Sequence, residues 1–130
     1  MRTLKIGIAD YDRMKARTLA IARGEHTPAR DEPKMWFTSL DSFAKLLSEH
    51  NRHLLELIAR ESPRSLTELA EMAGRSKSNL SRTLKTMSQY GLVELRRGER
   101  GTVVPRVPYD HVRLDVSLTG TASEAVGAGR

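Results

Sequence analysis

The 130-residue sequence contains no cysteine and no long apolar run. The lack of cysteine excludes a disulfide framework, a thiolate zinc site and a cysteine nucleophile. No apolar stretch approaches the roughly 20 residues that a membrane-spanning helix requires. The opening residues MRTLKIGIAD have neither the apolar core of a signal peptide nor the composition of a transit peptide. Together, these absences predict a soluble protein of the cytoplasm with no membrane partner.

Motifs of catalysis and metal binding are equally scarce. The sequence has no nucleophile elbow, no phosphate-binding glycine loop and no HExxH pattern. His50 and His53 lie close together, but a metal site usually has about four ligands, and only two other histidines or unplaced carboxylates could complete the set. We therefore predict no catalytic residue, no metal site and no cofactor, and we do not expect an enzyme.

What the sequence does contain is an excess of positive charge. It has 22 lysines and arginines against 16 acidic residues, which gives a net charge of +6. The excess is concentrated in residues 62–106, which hold nine basic and four acidic side chains. A basic surface favours an anionic partner such as nucleic acid or a membrane surface. The distribution of charge therefore points to residues 62–106 as the interacting part of the chain.

Residues 1–38 predict a strand followed by a helix. The alternating apolar positions of LKIGI, residues 4–8, are typical of a half-buried strand, and Asp10 can cap a helix over about residues 11–23. Charged and turn-forming residues from 24 to 33 predict a loop, and the MWF that follows predicts a short strand. We interpret this segment as an arm for dimerisation or for binding a partner.

Serines mark the starts of the three helices that follow the arm. Ser39 and Ser48 each precede a helical apolar pattern, and Pro63 helps to end the second of these helices. Ser65 is followed by a glutamate at the spacing of a capping box, which predicts the start of a third helix. Gly74 supplies the turn after that helix.

The next helix is predicted over about residues 76–90, and Gly91 ends it. Leu80, Leu84 and Met87 fall within one narrow arc of this helix and must face the core. The opposite arc and its flanks carry only uncharged polar and basic side chains. These are Ser78, Asn79, Ser81, Arg82, Lys85, Thr86 and Gln89. The outward face of the helix can therefore donate many hydrogen bonds and carries no negative charge.

A basic β-hairpin is predicted after this helix, with strands in residues 92–97 and 102–104 around the turn GERG. Residues 112–118 then alternate between apolar and polar positions. This alternation predicts a last strand with one buried face, which could pair with the strand at residues 4–8. Residues 119–130 have no buried pattern and are predicted to be disordered.

Three helices, a short glycine-containing turn between the last two and a basic hairpin are the components of a winged helix-turn-helix. The predicted fold class is α+β. In this interpretation residues 39–118 form the DNA-binding domain, with a three-helix core and a β-hairpin wing. The strand-helix arm of residues 1–38 precedes it, and residues 119–130 form the tail.

The segment from residue 53 to residue 101 resembles the winged-helix transcription regulators of the MarR and ArsR type, above all in SLTELAEMAGRSKSNLSRTLKTMSQYGLVEL. The resemblance implies a DNA-binding dimer with a groove helix at residues 76–90 and a wing at residues 96–102. The whole chain is also similar to small prokaryotic winged-helix proteins, some of which act as antitoxins of a toxin encoded beside them.

The residue types on the groove helix and the hairpin match the chemistry of DNA. Arg82 is the best candidate for a bidentate contact with guanine, and Asn79 could read adenine. Hydroxyls and cations at the starts of helices, and arginines at a hairpin tip, are suited to phosphate or to the minor groove. The full set of predicted DNA contacts is Ser65, Thr67, Arg75, Ser76, Lys77, Ser78, Asn79, Ser81, Arg82, Lys85, Arg96, Arg97 and Arg100.

The sequence is compatible with three functions. The first is a sequence-specific transcription regulator, a repressor or autorepressor, that binds double-stranded operator DNA as a homodimer. The alternative is an antitoxin of a type II toxin-antitoxin system, which neutralises a cognate toxin protein and autoregulates its operon. The third is an RNA-binding or architectural DNA-binding module, which would bind with little sequence preference.

Overall fold

The computed structural model describes residues 2–27 and 32–119, and within them the chain is an α+β protein with five α-helices and two small sheets. In chain order the elements are β1 (Thr3–Ile8), α1 (Tyr11–Ala22), β2 (Met35–Phe37), α2 (Leu40–Leu46), α3 (Glu49–Glu61), α4 (Leu66–Ala73), α5 (Lys77–Gln89), β3 (Glu94–Arg97), β4 (Val103–Arg106) and β5 (His111–Asp115). In the part of the chain described, none of the helices is both long and apolar enough to cross a membrane. The disorder predicted for residues 119–130 falls, apart from Thr119, outside the described residues.

The described chain divides into two compact units. The helical unit comprises residues 44–110 together with Arg2, and the sheet unit comprises residues 3–43 and 111–119. The sequence pattern places residues 111–118 in the same predicted domain, residues 39–118, as the helices that precede them. The structure groups β5 with β1 instead, because β5 forms its backbone hydrogen bonds with β1.

The sheet unit contains a three-stranded parallel sheet in the order β2–β1–β5. Ile6 lies opposite Met35 on one side and opposite Leu114 on the other. Parallel neighbours need a crossover connection, and α1 supplies it between β1 and β2. Asp10 caps α1 by accepting a hydrogen bond from the amide of Arg13 at 2.9 Å. The predicted strands, the capped helix and the pairing of the last strand with the first are confirmed.

The apolar side of the last strand differs from the prediction. Leu4 and Ile6 of β1 are buried, but Leu114 of β5 is 42% exposed, and Val116 and Leu118 are 37% and 97% exposed. The expectation of one buried face in residues 112–118 is therefore wrong for most of its length. Alternation specifies which residues share a face, whereas burial depends on what covers that face.

The helical unit is built from capped helices around one apolar core. The hydroxyls of Ser48, Ser65 and Ser76 accept hydrogen bonds from backbone amides at the starts of α3, α4 and α5 at 3.2, 3.0 and 3.2 Å. Gly74 ends α4 with a φ of 67°, in the left-handed region that glycine tolerates. The buried apolar side chains of this unit, in the part of the chain described, are Leu54, Ile58, Pro63, Leu69, Leu80, Leu84, Met87, Leu92, Val93 and Pro105.

Strands β3 and β4 form the predicted antiparallel hairpin, with Leu95 opposite Pro105. The hairpin lies against the helices, since β3 contacts α5 and β4 contacts α3 and α4. Pro105 is fully buried, and the guanidinium of Arg106 donates a hydrogen bond to the carbonyl of Pro63 at 3.1 Å. Arg106 thus attaches the return strand to the loop between α3 and α4.

We expect Gly7→Ala to lower the free energy of unfolding by about 1–3 kcal/mol, the range for overpacking. The indole of Trp36 covers Gly7, and a Cβ added there would lie 2.4 Å from Cζ3 of Trp36. Trp36 is the single tryptophan of the chain, so tryptophan fluorescence reports on the environment of this one indole. The variant should show a red-shifted emission maximum and a lower Tm. An unchanged spectrum and Tm would contradict the close packing of the indole on Gly7.

Candidate nucleic-acid interface

Helix α5 presents one apolar side and one polar side. Leu80, Leu84 and Met87 are fully buried, which confirms the predicted inner arc. The rest of the helix is consequently turned away from the core of the helical unit. The helix ends at Gln89 with Tyr90 as its C-cap, and Gly91 follows with a φ of 79° that redirects the chain into β3.

The outer face of α5 contains five of the thirteen predicted DNA contacts. These five are all exposed: Ser78, Asn79, Ser81, Arg82 and Lys85. Lys77, in the first turn of the helix, is exposed as well. No residue of α5 is acidic. The side chains of Lys77, Arg82 and Lys85 make no hydrogen bond or ion pair with any other residue that the structure describes. Three cations and several polar groups are therefore open to an external ligand.

Arg75, just before α5, has a different environment from the one predicted. Its half-buried guanidinium donates three hydrogen bonds, to Oδ1 of Asn79 at 2.9 Å, to Oδ1 of Asn51 at 3.2 Å and to Oγ1 of Thr83 at 3.3 Å. Asn51 in turn donates through Nδ2 to the carbonyl of Leu46 at 3.0 Å. Burial lowers the pKa of the Arg75 guanidinium from its usual value because desolvation disfavours the charged form.

This network links α5 to α3 and supplies acceptors for the guanidinium of Arg75. Arg75 was predicted to contact phosphate, but its donors are directed to side chains of the same unit. Asn79 keeps its exposed position, and its Oδ1 already accepts one hydrogen bond. Asn51 and Thr83 were not singled out from the sequence, because spacing along the chain carries no signal for a contact that joins α3 to α5.

We expect Arg75→Met to lower the free energy of unfolding by about 1–3 kcal/mol, because the side-chain length is kept while the hydrogen bonds to three polar partners are lost. Lys77→Met is the matched control, since it removes an exposed cation that pairs with none of the described residues and should change stability by no more than about 0.5 kcal/mol. Urea unfolding of both variants would measure the difference. Equal stability of the two variants would show that the Arg75 network contributes nothing.

The start of α4 offers less to a ligand than predicted. The hydroxyl of Ser65 is occupied as the helix cap, and the carboxylate of Glu68 accepts a hydrogen bond from the amide of Arg64 at 3.3 Å. Ser76 has the same capping role at α5. Thr67 is exposed in the first turn of α4. Ser65 and Ser76 therefore position the two helices, and Thr67 is the open hydroxyl at this end of α4.

The hairpin carries three exposed arginines in two different states. Arg96 pairs with Glu94 on the same strand at 2.6 Å, so its charge is partly neutralised. Arg97 and Arg100 have no side-chain partner among the residues described. Arg100 lies at the tip with a φ of 57°, in the left-handed region that is uncommon for a side chain larger than asparagine. The hairpin thus presents two open cations.

Positive charge predominates in this part of the unit. Residues 75–106 contain eight basic and two acidic side chains, a net charge of +6, which equals the net charge of the whole chain. In the described ranges, no group of three or more histidine, aspartate or glutamate side chains is placed to hold a metal ion. The arrangement is suited to binding a polyanion through side-chain donors.

Comparison with known proteins yields one family. No curated protein and no solved structure matches the chain significantly. The family model named HVO_A0114 matches residues 46–114, from the end of α2 to Leu114 of β5. Because this match covers more than half of the 130 residues, the chain belongs to the HVO_A0114 family.

Proposed function

We propose that this protein is a sequence-specific transcription regulator that binds double-stranded DNA. In this proposal the helical unit is a winged helix-turn-helix, with α4 and α5 as the helix-turn-helix and the β3–β4 hairpin as the wing. One observation carries the proposal. The outer face of α5 is wholly exposed and contains no carboxylate, and the helix holds three cations with no partner among the described residues.

The major groove of B-DNA admits an α-helix and displays a distinct pattern of donors and acceptors for each base pair. Arg82 lies at the middle of the outer face, opposite Leu80 and Leu84, and is placed to donate two hydrogen bonds to guanine. Asn79 and the hydroxyls of Ser78 and Ser81 flank it and can bond to neighbouring bases. The hydrogen bond from Arg75 restricts the rotation of the Asn79 amide, which favours one readout geometry.

Contacts with phosphate supply much of the affinity of such proteins and carry little sequence information. Lys77 and Lys85 on α5 and Arg97 and Arg100 on the hairpin have open cations suited to this role. Arg100 at the tip is also placed to enter an adjacent minor groove, where arginine is favoured. In this division α5 reads sequence and the hairpin contributes orientation and charge.

A homodimer on a palindromic operator would repress transcription by occupying the promoter. Two-fold symmetry would set the half-sites about one helical turn, ~34–36 Å, apart. The MarR- and ArsR-like resemblance and the lack of acidic residues on α5 support a DNA ligand. The antitoxin function stays a prediction, because none of the described features distinguishes a toxin partner.

The test compares binding of the full chain to the DNA upstream of its own gene and to a shuffled duplex of equal length, across a series of salt concentrations. We expect its own upstream DNA to bind at least about 10³-fold more tightly, the lower end of specific recognition. Affinity for both duplexes should fall as salt rises, because phosphate contacts release counterions. Equal affinity for the two duplexes would contradict a sequence-specific regulator and favour the architectural alternative.

A further inference from the structure

Strand β5 is the edge of the sheet in the sheet unit, and its outer side pairs with no other strand in the described residues. Val112 and Leu114 of β5 lie on the same face of the sheet as Leu4 and Ile6 of β1, and Val116 follows on that face. Leu114 and Val116 are 42% and 37% exposed. An unpaired edge with exposed apolar side chains is a template for pairing with another strand.

The opposite face of β5 carries one charge of each sign, Arg113 and Asp115. Arg113 lies directly across from Lys5 on β1, so two positive side chains are neighbours. The guanidinium of Arg113 has no partner among the residues described. Asp115 is 3.9 Å from Lys5. A further carboxylate on the outer side of Arg113 would relieve this repulsion.

We propose that β5 pairs antiparallel with β5 of a second copy of this chain, about a two-fold axis at Leu114. The sequence VRLDV, residues 112–116, has a valine at each end and charges of opposite sign on the two sides of a central leucine. In this pairing Arg113 lies across from Asp115 of the second copy, and the reciprocal pair forms by symmetry. Val112 lies across from Val116 of the second copy, and the two Leu114 side chains are neighbours.

The charges select this register over the adjacent two-fold registers. An axis at Arg113 would place the two Arg113 side chains opposite each other, and an axis at Asp115 would oppose the two carboxylates. Like charges in direct cross-strand positions are destabilising, whereas opposite charges and β-branched or apolar pairs are stabilising. Only the axis at Leu114 places opposite charges across from each other on one face and apolar side chains together on the other.

This inference goes beyond the proposed function, because it assigns the dimer surface to β5 and not to the predicted arm of residues 1–38. It also stands apart from DNA binding, since the proposed DNA contacts all belong to residues 44–110. The association can be measured without DNA, so failure of one proposal is distinguishable from failure of the other.

The test uses two charge variants of the full chain, R113D and D115R, in analytical ultracentrifugation over a concentration series. In R113D both flanking positions are acidic, and in D115R both are basic, so each homodimer would oppose like charges. We expect the wild-type chain to dimerise and each variant alone to dimerise at least about tenfold more weakly. An equimolar mixture of the two variants should dimerise again, because every cross-strand pair then joins opposite charges.

The mixture separates loss of pairing from loss of folding, because a misfolded variant would not recover on mixing. The proposal is overturned if the wild-type chain sediments as a monomer at every concentration, which would leave the edge to another occupant such as residues 120–130. It is also overturned if both variants dimerise as the wild type does, or if the mixture stays monomeric while the wild type dimerises.

Discussion

Arg82→Ala is expected to weaken binding to the preferred duplex by about 1–3 kcal/mol, or roughly 5- to 150-fold in affinity. Arg82 is exposed at the middle of the outer face of α5, and its guanidinium has no partner within the described chain. A bidentate contact with guanine would be lost entirely on truncation. Binding to a shuffled duplex should fall much less, so the specificity ratio falls with the affinity. Competition binding at fixed salt measures both quantities.

Arg60→Ala is the matched control for net charge. Arg60 is an exposed arginine of α3 that pairs with its neighbour Glu61 at 3.1 Å, and it is not among the predicted DNA contacts. Both variants lose one positive charge, so a difference between them reports the position of the charge and not its sum. If Arg82→Ala and Arg60→Ala weaken both duplexes equally, then α5 does not read sequence and the basic face acts only as an electrostatic patch.

Leu84→Ala is expected to lower the free energy of unfolding by about 2–5 kcal/mol, the range for truncating a buried leucine. Leu84 is 0% exposed and lies between Leu80 and Met87 on the inner side of α5. Its loss removes apolar burial and leaves a cavity under the helix that carries the proposed DNA contacts. Because a domain of this size is stable by only about 5–15 kcal/mol, the change should be visible as a large drop in Tm and in the urea midpoint.

Met72→Ala is the companion variant for this measurement. Met72 belongs to α4 of the same unit but is 41% exposed, so its truncation removes little buried surface. We expect a loss of no more than about 1 kcal/mol, in keeping with the smaller effects of changes at exposed positions. A Leu84 variant as stable as the Met72 variant would mean that α5 does not pack through the arc of Leu80, Leu84 and Met87.

The structure divides the predicted contact residues by what their side chains already bind. Ser65, Ser76 and Arg75 have hydrogen-bond partners within the helical unit, and Arg96 pairs with the carboxylate of Glu94. The open cations are Lys77, Arg82, Lys85, Arg97 and Arg100. Ser65, Ser76 and Arg75 position α4 and α5, while the open cations are free to meet a ligand. Substitution of Arg75 should therefore affect stability and DNA binding together, whereas substitution of Arg82 should affect binding alone.

The local structure of this protein follows from short stretches of its sequence. Every helix start at a serine or aspartate, the left-handed end of α4 at Gly74 and the hairpin around GERG were predicted, and the structure has all of them. The sequence also predicted the inner arc of α5, which Leu80, Leu84 and Met87 form. These features depend on hydrogen bonds and side-chain spacings within a few residues, and such interactions are encoded where they occur.

Contacts between the elements, in contrast, form only when distant parts of the chain pack together. The alternation in residues 112–118 suggested that β5 could pair with β1, but the parallel register, which joins residues more than a hundred positions apart, is seen only in the structure. The exposure of Leu114 likewise depends on which segments cover that side of the sheet. The partners of Arg75 on α3 and α5 likewise come together only after the helices pack. Local patterns specify which residues share a face, but burial, pairing and the availability of a charge depend on contacts between distant parts of the chain, which no window of the sequence contains.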